Sequence, residues 1–137
     1  MANLSAKGTL LIVSGPRDDP ERKHLFVICT DPDVEGRQLI VGVCSVPDNG
    51  DPYDPTCVLQ KHEHPSFLRK PSYVFYARAR LVSRTALLQG VRLKEMIPRH
   101  DMNGQVFLRV VNGICRSPQT PRKLKRYYEA IKSGGSV

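Results

Sequence analysis

The run from Ser72 to Ser83, S-Y-V-F-Y-A-R-A-R-L-V-S, leaves this chain little choice of local structure. It is dense in aromatic and β-branched residues and holds no glycine or proline, so it reads as one long strand. Side chains of a strand point alternately to opposite faces. Strict alternation puts Val74, Tyr76, Arg78 and Arg80 on one face, and Tyr73, Phe75, Ala77, Ala79 and Leu81 on the other. One face is then apolar, and the other sets two arginines about 7 Å apart beside a tyrosine. Just before the strand, His62-Glu63-His64-Pro65 packs two imidazoles and a carboxylate into one loop.

Shorter apolar runs precede it. Residues 8–14, 24–30 and 38–46 have strand length and are separated by turn signals (Gly15-Pro16, then D-P-D and E-G), which predicts an antiparallel meander. Residues 47–55, P-D-N-G-D-P-Y-D-P, form a loop on composition, and a short strand follows at 56–60. After the long strand, Ser83 is placed to cap a helical turn ended by Gly90, and the alternation of Val91 to Ile97 predicts a half-exposed strand. Asp101 or Asn103 can cap a helix over Gln105 to Arg116, where Val106, Val110, Ile114 and Phe107, Val111, Cys115 recur at helical spacing. Thr120 as the cap and Pro121 at the first helical position open a last helix, with a stripe of Leu124, Tyr127, Tyr128 and Ile131. Strands first and helices last predict an α+β domain, a small curled sheet or barrel with packed helices. Its boundaries are set at 1–118 for the barrel and its helix, 119–133 for the basic C-terminal helix, and 134–137 for a frayed tail.

At 137 residues with 40% hydrophobic residues, one domain can bury its own core without metal or disulfide. No segment has the length of a membrane span and no signal peptide is legible, so a cytoplasmic protein is expected. Cys29 and Cys44 lie in apolar strands and read as reduced core residues. The charge is unevenly spread. Residues 1–68 carry six Lys/Arg against ten Asp/Glu, whereas 69–99 carry eight against Glu95 alone and 116–137 carry six against Glu129. That asymmetry favours a polyanionic partner, nucleic acid or acidic protein. There is no P-loop, no dinucleotide fingerprint and no nucleophile elbow. The His62/His64 pair has no second spaced pair of ligands, and no metal or cofactor is expected.

Over roughly residues 7–116 the order resembles the PemK/MazF/Kid family of bacterial growth-inhibiting toxins. The run His24 to Thr30 matches the family's R-P-x-x-x-V-(S/T) strand, with His24 where the family has arginine. Gly42-Val43-Cys44-Ser45 matches a strand ending P-V-T-S and keeps the serine. Tyr73 to Val82 matches V-V-x-x-D-Q-x-R-T-(I/V), with Arg80 on the family arginine and Ala77-Arg78 in place of D-Q. The resemblance implies an SH3-like antiparallel barrel with C-terminal helices. It also implies a toxin-like endoribonuclease of a toxin–antitoxin system that cleaves single-stranded RNA without metal, and an acidic antitoxin-like partner.

Cleavage by the RNA's own 2′-hydroxyl needs a base, an acid and cations around the phosphorus. Histidine titrates in the right range, which nominates His64 and His24 with Glu63 as a further base. Arg80 grips the phosphate through a planar fork of donors. Arg78, Tyr76, Ser45, Arg17 and His62 are the expected RNA contacts, with Tyr76 stacking a base beside the arginines. The absent aspartate of D-Q favours the alternative, a non-catalytic nucleic-acid-binding or regulatory module on the same barrel. The stripe on the last helix either packs on its own core or serves an acidic partner or a homodimer.

Overall fold

A computed structural model describes residues 3–13, 23–64 and 68–134. The meander is present: β1 (Thr9–Val13), β2 (Lys23–Ile28) and β3 (Arg37–Ser45) pair antiparallel in sequence order. Beyond β3 come a short β4 (Val58–Leu59), a 3₁₀ turn (Lys61–Glu63) and the long β5 (Ser72–Ser83). Then follow α1 (Arg84–Arg92), β6 (Met96–Arg99), α2 (Gly104–Arg116) and α3 (Arg122–Lys132). The described strands form one curled antiparallel sheet in the order β4-β5-β3-β2-β1-β6, so the protein is α+β. No helix among the described residues is long and apolar enough to cross a membrane.

Strand alternation sorts the apolar side chains into two layers. Leu11, Leu25, Val27, Leu39, Val41 and Val43 face α2 and α3, meeting Val110, Ile114, Leu124 and Tyr128 in the main core. Leu10, Ile12, Ile28 and Ile40 point the other way, and Leu87 of α1 covers them. The α3 stripe therefore belongs to the chain's own core. Asn103 caps α2, its side-chain oxygen accepting from the Gln105 and Val106 N–H groups at 2.9 and 3.3 Å.

Three local expectations are corrected. α1 continues through Gly90 to Arg92, so Val91 to Glu95 is helix end and turn rather than strand, and only Met96–Arg99 pairs with β1. Gly90 does not end the helix; it makes room for Met96, whose Sδ would lie 2.7 Å from an added Cβ. Thr120 does not cap α3: the N-cap is Pro121 without a side-chain bond, and the buried Thr120 hydroxyl has no partner among the described residues.

The correction that matters for function lies in β5. Its register with β3 runs cleanly from Ser45↔Ser72 to Gly42↔Phe75 and resumes at Ile40↔Arg80. Between these pairs Val41 alone stands opposite Tyr76, Ala77, Arg78 and Ala79. Extra residues on one strand form a bulge and break the alternation. Up to the first bulge residue the even positions Val74 and Tyr76 are buried; from its last residue on the odd position Ala79 is, and Leu81 packs against the same core. Arg78 and Arg80 therefore share a face with Phe75, not with Tyr76.

Candidate nucleic-acid interface

The outer face of the sheet, beyond the part that α1 covers, is an open groove of about 520 Å³. His24 and Phe26 of β2, Gly42 and Cys44 of β3, and Phe75, Arg78 and Arg80 of β5 line it. Gly42 is the centre of this arrangement because it pairs with Phe26 on one side and Phe75 on the other. With adjacent strands about 4.8 Å apart, the two phenylalanines stand on backbones about 10 Å apart. No side chain rises between them. The Phe26 ring lies over Gly42, and a Cβ there would come within 3.2 Å of it.

Each ring carries a guanidinium. Arg80 lies over Phe26 at 5.5 Å and Arg78 over Phe75 at 6.0 Å, both distances measured to the ring centroid. Both arginines are exposed, and neither forms an ion pair with an acid among the described residues. The aromatic surface continues along β5: Phe75 lies 5.8 Å from Tyr73, and Tyr73 lies 5.2 Å from Tyr53 of the 47–55 loop. That loop is tied down beside Tyr53. The buried Asp54 carboxylate accepts from the Ser117 hydroxyl at the end of α2 and from the Thr56 N–H at 3.0 Å. Burial, then the neighbouring Cys44 sulfur, raises the Tyr73 hydroxyl above its ordinary pKa, so it stays a neutral donor. A row of rings edged by two exposed guanidinium groups can take stacked bases on the rings and phosphate oxygens on the cations.

Tyr76 belongs to the other side. It is fully buried, its hydroxyl donates to the Val110 carbonyl at 2.6 Å, and burial pushes its pKa up. It cannot stack a base beside the arginines. Phe75 takes that place, although strict alternation hides it in the core. Ser45 closes β3 opposite Ser72, exposed, and is not among the groove side chains. Arg17 lies outside the described residues. Cys29 is buried as expected, whereas Cys44 is half-buried on the groove face.

The His62 cluster is also placed apart from the arginines. His62, Glu63 and His64 line a separate pocket of about 470 Å³ with His100, Asp101 and Asn103, at the start of α2. His64 is buried, with Nε2 3.2 Å from the His100 carbonyl and 3.4 Å from the Thr9 hydroxyl. Thr9 shares a strand face with Leu11, the side of the main core and not of the groove. Burial lowers the His64 pKa against the pull of the His100 carbonyl, so the imidazole is neutral at pH 7. Glu63 has a structural occupation. One oxygen accepts the Gln60 N–H at 2.9 Å, and the other accepts from Arg109, which also donates to the Val58 carbonyl at 2.6 Å. Burial works against its ionisation, but these donors outweigh it and hold the carboxyl below its ordinary pKa. Of the four residues expected to do the chemistry, His24 and Arg80 meet in one groove, while His64 and Glu63 sit across the sheet. No cluster of three or more His, Cys, Asp or Glu among the described residues could hold a metal ion.

Compared with family models and with curated proteins, the chain matches none.

Proposed function

We propose that the chain binds single-stranded RNA along the Tyr53–Tyr73–Phe75 strip and the Phe26/Phe75 groove, and cleaves it there without a metal. This is the toxin-like endoribonuclease that the family resemblance implies, on an SH3-like barrel. The observation that carries it is the pair of phenylalanines on the strands flanking Gly42, each under an arginine. Stacking on an aromatic side chain contributes about 1–3 kcal/mol per base and tolerates any base.

The chemistry asks little more of the groove. The RNA 2′-oxygen attacks the adjacent phosphorus while His24 accepts its proton. The bond from phosphorus to the 5′-oxygen breaks, and the imidazolium returns the proton to that oxygen. A 2′,3′-cyclic phosphate and a 5′-hydroxyl result, so every atom and proton is accounted for. Arg78 and Arg80 donate to the phosphate oxygens as negative charge builds on them.

Incubation with a long single-stranded RNA in EDTA tests this. Discrete cleavage with cyclic-phosphate ends is expected, lost in His24→Ala and Arg80→Ala variants that still fold. A neighbouring gene that encodes a small acidic protein would favour the toxin reading over a binding module.

One observation favours the second reading, a non-catalytic nucleic-acid-binding module. His64 and Glu63 lie on the far side of the sheet, leaving His24 as the imidazole at the groove. That reading requires RNA to bind with strong salt dependence and remain intact.

A further inference from the structure

On the core side of the sheet, where α3 meets β3 and β5, lies a cleft of about 340 Å³ lined by Arg37, Leu81, Arg122, Lys123, Arg126 and Tyr127. Arg37 is already answered: Asp33 lies 3.0 Å away and Glu35 3.6 Å away. Arg122, Lys123 and Arg126 are exposed and form no ion pair with an acid among the described residues. The first turn of α3 contains no acidic residue. Two of these cations therefore sit at the positive end of the helix dipole, where carboxylates are ordinarily favoured. Such a concentration of positive charge is relieved by an anion.

The cleft has no ring to offer a base. The Tyr127 hydroxyl donates to Asp33 at 2.7 Å, and Arg37 covers its ring at 5.5 Å. What fits is a phosphate. The cleft and the groove lie on opposite faces of one stretch of β5: Arg80 lines the groove and its neighbour Leu81 lines the cleft. β4 pairs only with Ser72 and Tyr73, and among the described residues no strand flanks the rest of β5 on that side. A chain leaving the groove reaches the cleft over that edge. Arg37 and Gly42, which mark cleft and groove on opposite faces of β3, are about 17 Å apart along the strand.

We infer that the α3 cleft is a second, base-independent site that holds the phosphate backbone of the RNA strand whose bases occupy the groove. The inference rests on the proposed use of the groove, and the test separates the two. Arg122→Ala, Lys123→Ala and Arg126→Ala are combined in one variant, since all three side chains are exposed and alanine suits a helix. Its urea midpoint is checked against the parent. Binding of oligouridylates from about 4 to about 16 nucleotides is then measured across salt concentrations.

The shortest oligomers are expected to bind parent and variant equally, and the longest to bind the variant more weakly. Each phosphate that the variant no longer neutralises lowers the salt slope by about 0.7. With two such phosphates, a rise from about 50 to 200 mM salt weakens the variant about sevenfold less than the parent. Equal binding at every length with an unchanged slope would overturn the cleft and leave the groove standing. Undiminished binding in an Arg78→Ala, Arg80→Ala variant would overturn the groove, and with it the cleft as its extension. Polyglutamate that binds through the three cations without competing with RNA would make the cleft an acidic-protein site and refute the inference.

Discussion

Gly113→Ala is the sharpest test of the packing that sets the groove face, because its sign runs against the ordinary rule. Glycine to alanine inside a helix normally stabilises by about 1 kcal/mol. At Gly113 of α2 the added Cβ would stand 1.9 Å from the Tyr76 hydroxyl oxygen and 2.5 Å from the ring carbon bearing it. Tyr76 is fully buried and cannot move out to water. Overpacking of this kind costs about 1–3 kcal/mol. Pushing the hydroxyl off the Val110 carbonyl leaves a buried donor unsatisfied, for about 1–3 kcal/mol more. After the helix gain, the net loss is about 3 kcal/mol, within a span of about 1–5. With a urea m-value of about 1.5 kcal/mol/M, the midpoint falls by about 2 M. Gly104→Ala, at the other end of the same helix and with open space around it, serves as the control and is expected to stabilise slightly. Tyr76→Phe alone should cost about 1 kcal/mol. Combined with Gly113→Ala it should cost less than the sum, because the closest atom is gone. A Gly113→Ala protein as stable as its parent, or more so, would mean that Tyr76 does not point into the core. The face assignment of β5 would then be wrong.

The other expectations follow from the same arrangement. Phe26→Ala and Phe75→Ala should each weaken single-stranded RNA binding by about 1–3 kcal/mol, read by fluorescence titration, while Tyr76→Phe leaves affinity unchanged. Glu63→Gln should leave RNA cleavage intact and lower stability by about 1 kcal/mol or less, since its partner Arg109 is half exposed. Asp33 is held down to about 2: burial opposes its ionisation, but the Arg37 N–H, the Tyr127 hydroxyl, the Glu35 N–H and the Arg37 guanidinium outweigh it. A depressed carboxyl stabilises above its unfolded pKa, so this contribution is full above about pH 4 and is lost as the pH falls towards 2. An acid titration followed by tyrosine fluorescence should show α3 loosening in that window, and Asp33→Asn should remove the phase.

The meander, the second helix and the apolar α3 stripe are legible in the sequence because each rests on a local period that tertiary packing reinforces. Val91 to Ile97 misleads because its alternation of apolar and charged residues also suits a helix end and turn. Nothing local marks where β5 changes phase. Ala77-Arg78-Ala79 looks as regular as its neighbours, and the bulge appears only when β3 is laid beside it. For that reason the sequence shows Arg78 and Arg80 as cations on a strand, but strict alternation makes Tyr76 their aromatic partner in place of Phe75. Gly42 inside an apolar strand is the available signal, since a glycine there often marks a bulge or a close approach. Histidines two residues apart suggest one site with the arginines, yet closeness in sequence says nothing about which side of a sheet a loop closes on. Arg109 cannot be paired with Glu63 until the fold brings α2 against the 3₁₀ turn.

The groove itself is tested most directly by incubating the purified protein with a long single-stranded RNA in EDTA, beside an Arg78→Ala, Arg80→Ala variant of unchanged urea midpoint. Discrete cyclic-phosphate products from the parent and none from the variant are the expected result. Cleavage undiminished in the variant would contradict the account, because the chemistry would then lie away from the Phe26/Phe75 groove.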